Sequence, residues 1–203
     1  MTTRRRISGM LMAMLAGVCL WPAVGRAGVA AAAVDDVRVE ALDGSTVNPL
    51  KTAAEVKASV FIFVSVDCPV SNRYAPEVKR LHDTFAAQGV RITLVYPNPA
   101  ETAAAIRAHL KDYGYPVDAV RDPKQSLVKH AQVTITPEVA VFTRDGALAY
   151  RGRIDDRYIS LGVERPQATV HDLRDALTNV LAGKPVRAPR TQAVGCYVAD
   201  FAR

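Results

Sequence analysis

The most informative stretch of the chain reads VFIFVSVDCPVS over residues 60–71. Its first part, Val60–Val66, is an almost unbroken run of β-branched and aromatic residues. Such a run predicts a strand that is buried on both faces. Apolar residues then recur at helical spacing up to Gly89, namely Tyr74, Val78, Leu81 and Phe85. Cys68 is therefore predicted to stand between a buried strand and a helix.

Further strand and helix patterns surround this junction. Strand patterns occupy residues 37–42, 90–96, 117–120, 138–143 and 147–152, and helical patterns occupy residues 101–113, 126–131 and 169–181. Asp145-Gly146, between the last two strand patterns, predicts a hairpin. This order predicts an α/β fold with a mixed central sheet flanked by helices. After Gly183, which closes the last helix, Pro185 and Pro189 predict an extended C-terminal tail.

The N-terminal 33 residues are typical of an export signal. Three arginines, Arg4–Arg6, precede the apolar run Ile7–Val24, and small residues follow where cleavage would occur. A permanent anchor is the weaker interpretation, because the run is short for a membrane span and contains Trp21-Pro22. We expect residues 1–33 to be the signal, residues 34–183 one domain, and residues 184–203 a tail that carries Cys196. The protein would be periplasmic or secreted.

Signal removal changes the charge and the cysteine count. Without the four arginines of residues 1–33, 22 basic residues face 20 acidic ones, so the mature chain is nearly neutral. No basic block with interleaved aromatics occurs, which argues against nucleic-acid binding. Cys19 would leave with the signal, and Cys68 and Cys196 would remain. Outside the cytosol, such a pair is expected either to bond permanently or to cycle between thiols and disulfide.

Three features, in this order, resemble the thioredoxin superfamily, and within it the redoxin or thiol-specific-antioxidant (AhpC/TSA-like) branch. The DCPVS motif of residues 67–71 lies where that superfamily carries its redox motif, Pro76 stands at the position of its kinking proline, and Thr136-Pro137 matches its cis-proline. The resemblance covers residues 37–183 and implies a thioredoxin-like fold. It also implies that Cys68 is the nucleophile, and that Pro69, Ser71, Thr136 and Pro137 contact the substrate.

The position of Cys68 suits this chemistry. The thiolate is the reactive form, and a free cysteine is mostly protonated at neutral pH. Unpaired N–H groups and the partial positive charge at a helix start stabilise that anion. Arg73 is close enough in sequence to help, whereas Asp67 would oppose ionisation. The alternative is that Cys68 is a small buried core residue, and we favour the reactive thiol because a strand-to-helix junction is more exposed than a strand centre.

The family pattern also bears on the second thiol. Ser71 occupies the position of the second cysteine of a thioredoxin, so Cys196 is the candidate resolving partner, unless an external thiol takes that role. Alternatively, Cys68 and Cys196 form a permanent disulfide, which would close a loop of about 129 residues and add on the order of 5 kcal/mol. We favour cycling, because a helix-start thiolate is a good leaving group.

Peroxiredoxins are the related alternative, and they match only in part. Ser65 fits the hydroxyl residue of their motif, but Phe61 stands where they have proline. No arginine precedes the strand after Thr136-Pro137, where their peroxide-binding arginine is expected. Thioredoxin features are missing as well, since Asp67 replaces a tryptophan and Ile62 an acidic residue. A thiol-disulfide oxidoreductase is the first interpretation, a thiol peroxidase the second, and a non-catalytic binding module with a structural disulfide the third.

No cofactor or metal is expected. The four histidines, His82, His109, His130 and His171, show no metal-binding spacing and are interpreted as surface residues of helices. The expected partners are protein thiols and disulfides or a peroxide, together with an external electron donor. We expect neither nucleic acid nor a stable membrane span after signal removal.

Overall fold

The computed structural model describes residues 37–199, and the predicted export signal lies outside them. The helices are α1 (Pro69–Arg73), α2 (Ala75–Phe85), α3 (Ala103–Asp112), α4 (Ser126–Ala131) and α5 (Asp172–Leu181). The strands are β1 (Val39–Ala41), β2 (Thr46–Val47), β3 (Ala58–Phe63), β4 (Val90–Tyr96), β5 (Asp118–Arg121), β6 (Ile135–Thr136), β7 (Glu138–Thr143), β8 (Leu148–Gly152), β9 (Tyr158–Ser160), β10 (Val163–Glu164) and β11 (Cys196–Tyr197).

The main sheet is mixed, as predicted. Over residues 37–199 it contains seven strands in the order β2-β1-β5-β4-β3-β7-β8. Strands β3, β4 and β5 run parallel to one another, whereas β7 pairs antiparallel with both β3 and β8. Two small sheets, β9 with β10 and β6 with β11, lie apart from it. The fold is thioredoxin-like, with the strand before Cys68 in the interior of the sheet, between β4 and β7.

Strand β3 is buried on both faces, as its sequence predicts. Every residue of β3 is buried. Val60 and Ile62 pack in an apolar cluster with residues of α2 and α5, whereas Phe61 and Phe63 pack on the opposite face with residues of α4. This alternation follows from the two-residue period of a strand. Each such side chain contributes about 1.5–3 kcal/mol when it is fully buried, so the strand before Cys68 is firmly held.

The helix predicted after Cys68 is divided in two. Tyr74 separates α1 from α2 and has φ −84° and ψ −4°. Pro76 is the second residue of α2, and it removes one hydrogen bond of the helical ladder because it has no N–H. The kink therefore lies beside the proline that resembles the kinking proline of thioredoxins.

The C-terminal tail is extended as expected, but it also pairs with the domain. The N–H of Arg151 donates to the carbonyl of Pro189 at 2.9 Å, and the N–H of Thr191 donates to the carbonyl of Arg151 at 3.1 Å. Gly152 has φ +151°, and any side chain there would overlap with Thr191. Further along, Cys196 in β11 pairs antiparallel with Thr136 in β6. The tail is thus fixed at two places.

Candidate redox site

Cys68 directly precedes α1 and is deeply buried. Its backbone is extended, with φ −85° and ψ 108°, and its N–H donates to the carbonyl of Ser65 at 3.2 Å. Only 1% of Cys68 is exposed. The junction position therefore does not expose this residue, contrary to the sequence argument, because the C-terminal tail packs over it.

Cys196 lies directly against Cys68. The two Sγ atoms are 2.8 Å apart, and both residues are free thiols in this structure. The Cys68 Sγ is also 3.2 Å from the carbonyl oxygen of Thr136, to which the thiol donates. The fold therefore brings together two cysteines that are 128 positions apart in the sequence.

The loop before β7 holds the tail in place. The Thr136-Pro137 peptide bond is cis, as the resemblance implies. β11 pairs with β6 so that Cys196 faces Thr136, and the Thr136 hydroxyl donates to the Cys196 carbonyl at 3.3 Å. Thr136 thus lies beside both thiols, and Pro137 follows it in the same loop. Pro69, by contrast, opens α1 with an exposed side chain.

The two thiols differ in acidity. Burial raises the pKa of Cys68, but hydrogen bonds from Cys196 and Ser71 outweigh it and leave that pKa below its usual value. Ser71 is fully buried, and its hydroxyl makes no conventional hydrogen bond among the described residues, so it can turn towards a Cys68 thiolate. Burial raises the pKa of Cys196 to about 11, and the neighbouring Cys68 adds to this shift. Cys68 is therefore the more acidic thiol of the pair.

A chain of hydrogen bonds that sequence reasoning missed supports α1. The Asn72 side-chain amide donates to the Val66 carbonyl at 3.0 Å, and its oxygen lies 2.8 Å from His109 Nε2. His109 Nδ1 lies 2.8 Å from the Tyr96 hydroxyl. The interpretation of His109 as a surface residue is wrong, because this side of α3 packs on the sheet and buries the imidazole.

Glu101 is a second residue that the sequence argument did not single out. One carboxylate oxygen, Oε1, accepts hydrogen bonds from the Ser65 hydroxyl and the Val66 N–H, both at 2.8 Å. Burial is the main cause that raises the pKa of Glu101. This carboxylate ties the segment just before Cys68 to the residues that follow β4. A lone acidic residue in a loop gives no sequence signal for such a role.

Arg73 does not assist the thiolate as the sequence suggested. Its Nη1 lies 2.5 Å from Glu164 Oε1 in β10, because α1 turns this exposed side chain away from Cys68. Within residues 37–199, the groups that contact the Cys68 sulfur or lower its pKa are Thr136, Cys196 and Ser71, and no arginine is among them.

Within residues 37–199, no group of three or more His, Cys, Asp or Glu side chains is arranged to hold a metal ion. In the same part of the chain, no helix has the length and apolar character needed to cross a membrane.

Residues 28–167 match the family model described as Redoxin. The chain belongs to the Redoxin family. Among solved structures, this redoxin is similar to a hypothetical protein from Sinorhizobium meliloti 1021, with 26% identity, a TM-score of 0.67, and coverage of 80% of this chain and 89% of that chain. An uncharacterized conserved protein from Geobacillus kaustophilus is also similar, with 24% identity, a TM-score of 0.65, and coverage of 79% of this chain and 86% of that chain.

A more distant structural neighbour of this redoxin has a described activity. It is a secreted Mycobacterium tuberculosis disulfide oxidoreductase homologous to E. coli DsbE, with 17% identity, a TM-score of 0.49, and coverage of 72% of this chain and 95% of that chain. No curated protein gives a significant match. The family assignment agrees with the resemblance drawn from residues 67–71, Pro76 and Thr136-Pro137.

Proposed function

We propose that this redoxin is an exported thiol-disulfide oxidoreductase in which Cys68 is the nucleophile and Cys196 the resolving thiol. The observation that carries the proposal is the 2.8 Å approach of the two sulfurs. Thiol-disulfide exchange requires an attacking sulfur to reach its target directly, and the rate depends on which thiol is ionised. The lowered pKa of Cys68 makes it the better attacking group near neutral pH.

The reaction proceeds in two exchanges. The Cys68 thiolate attacks one sulfur of a substrate disulfide, which forms a mixed disulfide and releases the other substrate sulfur as a thiolate. Cys196 then loses its proton and attacks the Cys68 sulfur, which releases the second substrate sulfur and leaves a Cys68–Cys196 disulfide. Two electrons pass to the substrate, and the substrate thiolates take up two protons. Each step is reversible.

The high pKa of Cys196 is compatible with this order. Part of that shift comes from its hydrogen bond to Cys68 and from the charge of Cys68, and both are lost when Cys68 enters a mixed disulfide. An external dithiol then resets the enzyme. It attacks the partly exposed Cys196 sulfur, because Cys68 has the lower pKa and is the better leaving group.

The experiment is an insulin-reduction assay with a dithiol donor on three proteins, namely wild type, Cys68→Ser and Cys196→Ser. We expect wild type to turn over and Cys68→Ser to be inactive, whereas Cys196→Ser, incubated with insulin before the dithiol is added, should stop as a mixed disulfide on Cys68 that mass spectrometry detects. Equal activity of wild type and Cys68→Ser would contradict the proposal and favour a binding module with a structural disulfide.

A peroxide-consumption assay on the same proteins tests the second function. We expect slow consumption, because no arginine is a hydrogen-bond partner of the Cys68 sulfur within residues 37–199. Peroxide turnover that is fast and depends on Cys68 would favour the thiol peroxidase.

Export is part of the proposal and rests on the N-terminal sequence. Arg4–Arg6 and the apolar run that follows support a cleaved signal over residues 1–33. The mature protein would then consist of a redoxin domain, residues 34–183, and a tail, residues 184–203. N-terminal sequencing of the protein recovered from the periplasm or the medium tests both the route and the cleavage site.

A further inference from the structure

The C-terminal tail occupies the part of the molecule that a substrate must reach. Cys196 faces Thr136 across the β6–β11 pair, and the Val198 N–H donates to the Thr134 carbonyl at 2.9 Å. The remaining exposed fraction of Cys68 is 1%. A disulfide on a protein substrate is much larger than the gap this leaves. The reduced enzyme therefore has its nucleophile covered by its own tail.

Gly195 makes this close packing possible. Its backbone lies so near the Thr136-Pro137 loop that a Cβ atom on Gly195 would overlap with the Thr136 carbonyl oxygen and approach the Pro137 ring at 3.0 Å. That carbonyl is the one to which Cys68 donates its hydrogen bond. The position before Cys196 thus accepts only glycine while β11 stays paired with β6.

We propose that the tail strand is a tethered stand-in for a substrate strand, so that the tail and an extended cysteine-containing segment of a partner protein exclude each other at β6. The proposal rests on the proposed function and adds to it a substrate class and a step of tail release. A partner strand in the same register meets the same Thr136 carbonyl, so the best substrate cysteine follows a glycine. Two backbone-paired residues are few enough to exchange without unfolding the domain.

The chemistry balances with the tail displaced. The Cys68 thiolate attacks the sulfur of the substrate cysteine, a Cys68–substrate disulfide forms, and the former partner of that cysteine leaves as a thiolate. Cys196 returns afterwards, forms its bond to Cys68 and releases the substrate thiolate. An external dithiol supplies the two electrons that restore both thiols.

The first test measures how well the tail covers Cys68. Reduced wild type, Gly195→Val and Ala188→Val are alkylated with iodoacetamide, and mass spectrometry follows the peptide that carries Cys68. Ala188→Val is the control, because it enlarges an exposed residue of the same tail. We expect Gly195→Val to raise the alkylation rate of Cys68 at least about tenfold, since a buried thiol reacts only through local opening. Circular dichroism checks that each variant is folded.

The second test measures the preference for glycine. Two peptides, VGCYVA and VVCYVA, carry thionitrobenzoate in a disulfide with their cysteine, and its release by reduced Gly195→Val protein is followed by absorbance. We expect the glycine peptide to react about tenfold faster, because the valine peptide meets the Thr136 carbonyl.

The outcomes of the two tests separate this inference from the proposed function. Unchanged alkylation of Cys68 in Gly195→Val would show that the tail is not the cover, and equal rates for the two peptides would show that the tail does not stand in for a substrate. Either result overturns the inference. Neither depends on insulin turnover, so an enzyme that fails to reduce insulin, yet passes both tests, would refute the proposed function alone.

Discussion

At the scale of single residues, the acidity of Cys68 is decided by neighbours that compete with its burial. Burial favours the neutral thiol, whereas hydrogen bonds from Cys196 and Ser71 favour the thiolate, and the hydrogen bonds prevail. Ser71 stands where the superfamily's second cysteine is found, and its buried hydroxyl makes no conventional hydrogen bond within residues 37–199. We infer that Ser71 is a donor to the thiolate and not a resolving group.

Substitution of Ser71 tests this role. Ser71→Ala removes the hydroxyl but keeps the N–H, so we expect the pKa of Cys68 to rise and its alkylation near neutral pH to slow by up to about tenfold. At alkaline pH, where both proteins are ionised, the rates should converge. The pH profile of Cys68 alkylation provides the measurement.

Ser160→Ala, at an exposed position of β9, is the control for this substitution. Opening of the tail should affect Cys68 alkylation equally in Ser160→Ala and in Ser71→Ala. The ratio of the two alkylation rates therefore reports the acidity of Cys68. A rate deficit in Ser71→Ala that stays constant across the pH range would argue for a packing defect instead.

At the scale of elements, the segment between β3 and α1 depends on a carboxylate from another part of the chain. Glu101 accepts hydrogen bonds from the Ser65 hydroxyl and the Val66 N–H. On the opposite side, Asn72 in α1 donates to the Val66 carbonyl. These bonds hold Ser65 and Val66, in the middle of the short connection that carries Cys68.

Removal of the carboxylate should destabilise this connection. Glu101→Ala leaves the Val66 N–H and the Ser65 hydroxyl without an acceptor, so we expect a loss of about 1–3 kcal/mol in the free energy of unfolding. Glu101→Gln keeps an amide oxygen that can accept, and it should lose less. Urea denaturation near neutral pH measures both, and Glu55→Ala, at an exposed loop position, serves as the control.

The same residue predicts a pH dependence with a definite sign. Burial raises the pKa of Glu101 above its usual value of 4.5, so the folded state binds this proton more tightly than the unfolded state does. The contribution of Glu101 to stability is therefore greatest below the unfolded pKa and decreases as pH rises towards the folded pKa. The free energy of unfolding of wild type, relative to that of Glu101→Gln, should therefore decrease as pH rises from the unfolded to the folded pKa of Glu101. A constant difference would contradict the shift.

At the scale of the whole molecule, the tail links the last part of the chain to the redox site. It bonds through its backbone to Arg151 in β8, and further along it pairs with β6 beside Cys68. A disulfide between Cys68 and Cys196 would turn this contact into a covalent link across a sequence separation of 128 residues.

Oxidation should therefore raise global stability. The loop-entropy model gives about 5 kcal/mol for a loop of this length, and native-state strain reduces that value. We expect the oxidised protein to unfold at higher urea concentration than the reduced protein. Cys196→Ser should show no such difference, and an identical midpoint for oxidised and reduced wild type would argue against formation of the intramolecular disulfide.

The sequence by itself determined the longer strands and the helices in their order, the mixed sheet and the position of Cys68 between β3 and α1, but not the short strands β2, β6, β9, β10 and β11. These features follow from local pattern, because the short β-branched and aromatic run Val60–Val66 is typical of a buried strand and the helix after Cys68 repeats apolar residues at helical spacing. The family resemblance was equally local, since its motifs are short and stand in a fixed order.

Only the tertiary structure decided how this site is covered and supported. The contact of Cys68 with Cys196, the support of Val66 by Glu101 and the burial of His109 join residues that are far apart in sequence. Such contacts depend on how the finished sheet brings distant loops together, and no periodic pattern encodes that. The tail was predicted to be extended, but its pairing with β6 joins Thr136 to Cys196, which are 60 positions apart in the sequence.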